Sequence, residues 1–424
     1  NAFRNHNFLL LLVFSPGLAS EEDAGRFIET LYSYFGNDIE GLSITDYEKG
    51  EYISIIDLNR IKEELTFLVG TDLTNKTLTP EEEKIMKKLF KDEHCHTIEY
   101  KELSTGFSDS RVFEIQPFKL ATGTTKYVIK VNDINNPKLI SEKKNFTSFV
   151  KSLDNRYNIE EESTEKFRAI KYNYASYDGY AESVSFAKML QDFDRDFAPI
   201  IEKLFKIRLF EQWNNTNRAT DLMIEDAYSR YIDIDKIISA IALIKNEKIE
   251  DVSNGNLMRN FRKIFSIKIP THSKICHGDL HTENFFIDKK ENIFLIDFGD
   301  TAEHHAVIDY ATLECSIKFR HTPHYIPIND LIEIEDKFLD DLTFSSKFEF
   351  NFPIREDLKQ YFRMVNKIRE LSNIYIRSNS DKIEYFLSLF LMTFRQIRYK
   401  GLNQLYALRS AEQLSNKIAK ELKL

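Results

Sequence analysis

The sequence predicts an α+β protein, and three observations carry that expectation. Between Glu99 and Asn132, short alternating segments are broken by small-residue turns, the pattern of a β-rich region. From Tyr180 to Leu424 apolar residues recur mostly at helical spacing. Within that helical half, Ile275–Asp300 (ICHGDLHTENFFIDKKENIFLIDFGD) reads as two short buried strands, Asn284–Asp288 and Asn292–Ile296, around a Lys289-Lys290-Glu291 turn.

Composition bounds the rest. The 424 residues are enough for two or three domains and a sizeable core. With 42% hydrophobic and 29% charged residues, the chain reads as globular. A net charge of −9 argues against nucleic acid or an anionic membrane as the main partner. Cys95, Cys276 and Cys315 are too far apart to form a disulfide framework and fit a reducing, cytoplasmic setting. Phe8–Phe14 reads as a buried strand rather than a signal peptide, because the run is short and its flanking positive charge is thin. The apolar run in Ser380–Tyr399 is interrupted by Lys382, Glu384, Arg395 and Arg398, so it reads as a core helix rather than a bilayer span.

In chain order, residues 1–78 form a small α/β unit in the order β-α-β-β-α, ferredoxin-like in pattern, with no catalytic constellation. Its default role is docking a protein partner or self-association. Gly70–Thr79 is polar and turn-rich and marks the boundary. Thr79 with Glu82 spells a capping box, with Pro80 opening a helix that runs to about Lys91. Glu93-His94-Cys95-His96 offers no second ligand pair at suitable spacing and is not read as a metal site.

Glu99–Leu103 and Arg111–Ile115 read as strands joined by Ser104–Ser110. There Ser104, Gly106 and Ser108 are small enough to let backbone approach a phosphate. Lys126–Asn132 is a strand presenting Lys130 between Ile129 and Val131. A helix near Leu139–Leu153 carries Glu142 in its expected first turn, within reach of an ion pair with Lys130. Lys166–Ala175 is a strand running into a hinge. The helices proposed after Asp300 begin near Ile308 and continue through Asp330–Leu342, Ile354–Arg377, Ser380–Lys400 and Leu402–Leu424.

The chemistry is concentrated at the two ends of the hairpin. Asp279 and Asn284 have the spacing H-x-D-x-x-x-x-N, and Asp297 opens an Asp-Phe-Gly triplet. His277-Gly278-Asp279-Leu280-His281 with Asn284, followed by Ile296-Asp297-Phe298-Gly299, resembles the aminoglycoside phosphotransferase and choline kinase-like family. The resemblance implies a bilobal protein kinase-like fold over about residues 79–424. Residues 79–175 would be a β-rich N-lobe and hinge, and 176–424 a helical C-lobe with the catalytic loop. It implies ATP and Mg²⁺ as cofactors and a hydroxyl-bearing, small-molecule acceptor. Asp279 would orient or deprotonate the hydroxyl, Asn284 and Asp297 would hold Mg²⁺, and Lys130, held by Glu142, would neutralise phosphate charge. Ser104, Gly106 and Ser108 would cover the phosphates, and Tyr172 or Tyr174 would lie at the adenine-binding hinge. Asp309, in Asp309-Tyr310-Ala311, would hydrogen-bond the catalytic-loop backbone. The glycine-poor loop departs from the G-x-G-x-x-G pattern. It leaves open a second reading, a nucleotide-binding regulatory or scaffold module that contacts partners through residues 1–78.

Overall fold

The computed structural model describes residues 78–91, 97–103, 110–118, 127–154, 156–173, 183–191, 195–323, 325–377 and 382–424. The expected α/β unit over 1–78, apart from Leu78, lies outside the described residues. So do the loop residues Ser104, Gly106 and Ser108, the cluster 93–96, and Tyr174.

The described chain opens with helix α1 (Pro80–Phe90). Thr79 and Glu82 close the capping box in both directions: the Thr79 amide donates to Glu82 Oε2 at 2.7 Å, and the Glu82 amide donates to Thr79 Oγ1 at 3.3 Å. Glu82 also accepts from Arg111 at 2.6 and 2.7 Å, so the cap is tied to the neighbouring sheet. At the other end of α1, the buried Lys171 ammonium donates to the Leu89 carbonyl at 3.1 Å, where the helix dipole favours a cation.

Strands β1 (Thr97–Leu103), β2 (Arg111–Phe118), β3 (Tyr127–Asp133), β4 (Ile159–Ser163) and β5 (Phe167–Asn173) form one antiparallel sheet in the order β1-β2-β3-β5-β4. Strand alternation sorts its two faces. Tyr127, Ile129 and Val131 join Ile85, Met86 and Phe90 of α1 in one core. Val128, Ile170 and Tyr172 face the larger core on the other side. Lys130 shares the Val128 face, and that register aims its ammonium away from α1.

Helix α2 (Pro137–Phe149) starts at Asn136, whose side chain accepts from the Lys138 and Leu139 amides at 3.0 and 3.2 Å. Leu139, Glu142 and Phe146 form its buried stripe. Glu142 therefore lies in the second turn, one turn later than its expected place, because Asn136-Pro137 starts the helix earlier than the apolar pattern does.

The remainder is mostly helical and contains the expected hairpin, but it also carries strands that the sequence pattern did not show. A three-stranded sheet of order β11-β8-β7 joins β7 (Arg218–Met223), β8 (Lys268–Cys276) and β11 (Ala302–His305). A second sheet sets the hairpin β9 (Phe285–Ile287) and β10 (Ile293–Leu295) beside β6 (Val184–Ser185). Short helices separate β6 from β7, followed by α3 (Ile234–Lys245), a further short helix and α4 (Asn256–Phe265). The chain closes with α5 (Ile308–Ser316), α6 (Ile328–Phe338), α7 (Glu356–Ser372), α8 (Ile383–Gln396) and α9 (Gln404–Glu421). Among the described residues, no helix is long and apolar enough to cross a membrane.

Candidate active site

The hairpin β9–β10 carries Asn284 just before its first strand and Asp297 just after its second. Leu295 pairs with Phe285, and the Ile296 amide donates to the Asn284 carbonyl at 3.0 Å. This pairing makes neighbours of the two ends. Asp297 sits in the left-handed region at φ 64°, a conformation Asp tolerates better than most residues. Phe298 then packs edge-on against Phe146 of α2 and Tyr157, and Gly299 O accepts from Asn145 at 2.8 Å.

Lys130 joins the two sides. Its ammonium lies 3.0 Å from Glu142 Oε2 and 2.8 Å from Asp297 Oδ1. Burial works against the charges on Lys130 and Asp297. The attraction between them outweighs it, raising the Lys130 pKa and lowering that of Asp297. The ammonium therefore stays charged, with Glu142 as its second anchor.

The loop from His277 to Asn284 is braced by its backbone. Asp309 at the start of α5 is fully buried; its carboxylate accepts from the His277 and Gly278 amides, each at 2.8 Å. His277 Nε2 donates to the Ile296 carbonyl at 2.9 Å, which fixes its tautomer. Gly278 adopts φ +84°, and a Cβ there would meet Asp300 O at 2.3 Å, so glycine is required. Asn284 Nδ2 donates to the Asp279 carbonyl at 2.9 Å, which turns its Oδ1 away from the loop.

Asp279 does not stand alone. Arg395, at the end of α8, donates to Asp279 Oδ1 at 3.1 Å, and His281 Nε2 lies 3.9 Å from Oδ2. Burial would push the Asp279 pKa up, but Arg395 first and then His281 hold it well below the usual carboxylate range. Burial pushes His281 down to about 4, so it is neutral near pH 7. Sequence reasoning took Arg395 only as a charge interrupting an apolar run. Nothing local to it signals a partner 116 residues away in the chain.

These groups border one cleft of about 930 Å³, whose lining includes Lys130, Tyr172, Asp279, His281, Asn284, Asp297, Arg395 and Arg398. Val112 and Val128 of the sheet and Phe286 and Ile296 of the hairpin supply apolar walls. The Tyr172 hydroxyl is buried and, among the described residues, has no hydrogen-bond partner. Glu142 stands behind Lys130 rather than in the lining. Asn284 and Asp297, at the two ends of the hairpin, could offer side-chain oxygens to a divalent cation. Among the described residues, no group of three or more His, Cys, Asp or Glu could hold a metal. Two ligands suit Mg²⁺, which keeps waters and takes its other oxygens from phosphates, better than a cation needing an all-protein cage.

Residues 250–323 match the model of the phosphotransferase enzyme family. The matched segment contains His277, Asp279, Asn284, Asp297 and Asp309, so the resemblance to that family holds over the catalytic segment. No curated protein matches the chain in sequence. Among solved structures, the aminoglycoside phosphotransferase APH(4)-Ia is similar at 12% identity and a TM-score of 0.41, covering 79% of this chain and 97% of that one. The choline kinase LicA from Streptococcus pneumoniae is similar at 14% identity and a TM-score of 0.34, over 80% and 99%. The amicoumacin kinase hAmiN, solved with AMP-PNP, Ca²⁺ and amicoumacin, is similar at 12% identity and a TM-score of 0.36, over 80% and 94%.

Proposed function

From the phosphotransferase-family match over its catalytic segment, we propose that this chain is an ATP- and Mg²⁺-dependent phosphotransferase. It would move a γ-phosphoryl group to a hydroxyl of a small molecule, on a bilobal protein kinase-like fold. Residues 79–175 would be the sheet-bearing lobe and hinge, and 176–424 the lobe of the catalytic loop. Residues 1–78 would be a separate docking or self-association unit, and the setting cytoplasmic.

The observation that carries this reading is the convergence on Lys130. One ammonium lies within 3.0 Å of both Glu142 and Asp297, in the cleft that Asp279 also borders. A buried lysine held between Glu142, whose carboxyl burial pushes up to about 8, and Asp297 is well placed to meet phosphate oxygens beside a metal that Asp297 would hold. Bound Mg²⁺·ATP supplies the phosphoryl group and the cation that offsets its charge.

The chain's own residues would position and polarise. Val112, Val128, Phe286 and Ile296 would supply apolar contacts for a base, and Tyr172 lines the same cleft. Asn284 and Asp297 hold the metal from the two ends of the hairpin. Lys130, steadied by Glu142, faces the phosphates. Asp279, kept ionised by Arg395, would accept a hydrogen bond from the acceptor hydroxyl and take its proton as that oxygen bonds to the γ-phosphorus, the bond to the β–γ bridging oxygen breaks and ADP leaves. His281 is neutral and braces the same end. Such catalysis rests on placement and charge complementarity more than on a strong base.

The test compares nucleotide affinity and ADP release for wild type, Asp297→Asn and Asp279→Asn. Asp297→Asn should weaken Mg²⁺-dependent ATP binding. Asp279→Asn should keep ATP binding and lose turnover. Wild-type turnover in folded Asp279→Asn would overturn the catalytic assignment. A wild type that binds no ATP in the presence of Mg²⁺ would overturn the whole reading.

A further inference from the structure

Next to Asp279 the cleft is unexpectedly cationic. Arg395 Nε and Arg398 Nη2 both donate to the Tyr399 hydroxyl oxygen, at 3.3 and 2.6 Å. The Arg398 guanidinium also lies over the Tyr399 ring, 4.7 Å from its centroid. All three residues line the cleft that holds Asp279. Burial would raise the Tyr399 pKa, yet the two arginines lower it.

The charges here can be paired off. Arg395 is matched by Asp279 at 3.1 Å, and Arg320, in the same cleft, by Glu283 at 2.6 Å. Lys236 has Asp233 at 3.0 Å. Among the described residues Arg398 has no ion pair within 4.0 Å; Asp233, itself held by Lys236, feels its charge only from farther away. His281 and His321, both pushed down to about 4 chiefly by burial, add no charge near neutrality. Two guanidinium groups converging on one phenol oxygen repel each other, and the phenol offers only a weak dipole in return. An anionic oxygen there would satisfy both.

We propose that the acceptor carries an anionic group, a carboxylate or a phosphate, which Arg398 binds beside Tyr399 while its hydroxyl lies against Asp279. This deepens the phosphotransferase reading and rests on it. The cleft is built for an acidic alcohol, and a polycationic or quaternary-ammonium alcohol would meet Arg398 and Arg395 with like charge.

Two measurements test it. The first is calorimetric titration of wild type and Arg398→Gln with inorganic phosphate and with malonate, without nucleotide and with saturating Mg²⁺·AMP-PNP. The expected result is an anion site that persists beside the nucleotide and weakens about tenfold or more in Arg398→Gln, the loss of a charge-assisted contact. No anion binding beside the nucleotide, or equal binding by the variant, overturns the proposal. If AMP-PNP itself does not bind, that failure falls on the phosphotransferase reading, and the nucleotide-free titrations of the two proteins still decide this one. The second measurement is ADP release with D-glycerate and glucose 6-phosphate against glucose, choline and kanamycin. Stimulation by the anionic compounds, with KM raised in Arg398→Gln more than kcat is lowered, supports the proposal. Stimulation by choline or kanamycin alone overturns it.

Discussion

Asp309→Asn tests how the catalytic loop is held. Asp309 is fully buried, and its two oxygens each accept one backbone amide, from His277 and Gly278, both at 2.8 Å. The substitution keeps size and shape. It leaves one acceptor and replaces the other with an NH₂ group that points a donor at a donor. Hydrogen bonds to charged groups contribute about 1.5–3 kcal/mol, and a buried unsatisfied amide costs a similar amount. These describe one loss from two sides, so the expected penalty is about 2–3 kcal/mol rather than their sum. Spread over a single loop, that should lower the exchange protection of the His277 and Gly278 amides by roughly 30- to 160-fold. The assay is hydrogen exchange read by mass spectrometry on peptides spanning 275–281, with ADP release measured on the same samples. Asp309→Ala, which strands both amides, should fall further. The exposed Asp226→Asn is the control. Unchanged protection of the loop in a folded Asp309→Asn protein would refute the bracing argument.

Lys130→Ala should weaken Mg²⁺·ATP binding about tenfold to a hundredfold, since a charge-assisted contact to phosphate is removed. Unchanged affinity by calorimetry in a folded variant would take Lys130 out of the site. Gly278→Ala must place a Cβ 2.3 Å from Asp300 O at φ +84° and should cost about 2–3 kcal/mol with loss of turnover. Wild-type melting temperature and turnover would show that the loop relaxes freely. The Asp279 pKa is depressed in the folded protein, so its contribution to stability is present above the unfolded carboxylate range and is lost as pH falls through the folded value. It follows that kcat/KM should show no acid limb from Asp279 above about pH 5. Arg395→Gln leaves burial less opposed and should move that limb toward neutrality. A pH–rate profile with the same limb in both proteins would refute the pairing.

What could be read from the sequence was what neighbours decide. Thr79 and Glu82 close on each other within one turn. Lys130 is aimed by strand alternation, and the hairpin that brings Asn284 to Asp297 is written in adjacent residues. What was missed depends on polar burial and distant packing. Strand β7 has no buried residue and shows no apolar rhythm. Strand β8 buries Thr271, Ser273 and Lys274, which hydrogen-bond to Glu384, Glu303 and Asn214, so a hydrophobic pattern cannot find it. Arg395 sits in a helix that reads as core because nearly all of that helix is core. Glu142 was expected one turn too early because apolar spacing alone does not show that Asn136 caps the helix.

The site's parts also differ in what secures them, and this decides how its substitutions should be read. Asn284 and Asp297 are joined by three cross-strand pairs and the Ile296–Asn284 bond, so they move as one local unit. Lys130 reaches that unit from the sheet, with Glu142 of α2 behind it. Arg395 reaches Asp279 from α8 on another side. Asp279→Asn therefore does two things. It removes the proposed proton acceptor and also leaves Arg395 without the one carboxylate paired with it among the described residues. A loss of turnover in that variant combines both effects. Arg395→Gln and the Asp279→Asn, Arg395→Gln double variant separate them. If Arg395 serves mainly to hold Asp279, its removal should cost little once Asp279 is already Asn. If it also serves the substrate, the double variant should bind the anionic acceptor more weakly than Asp279→Asn alone.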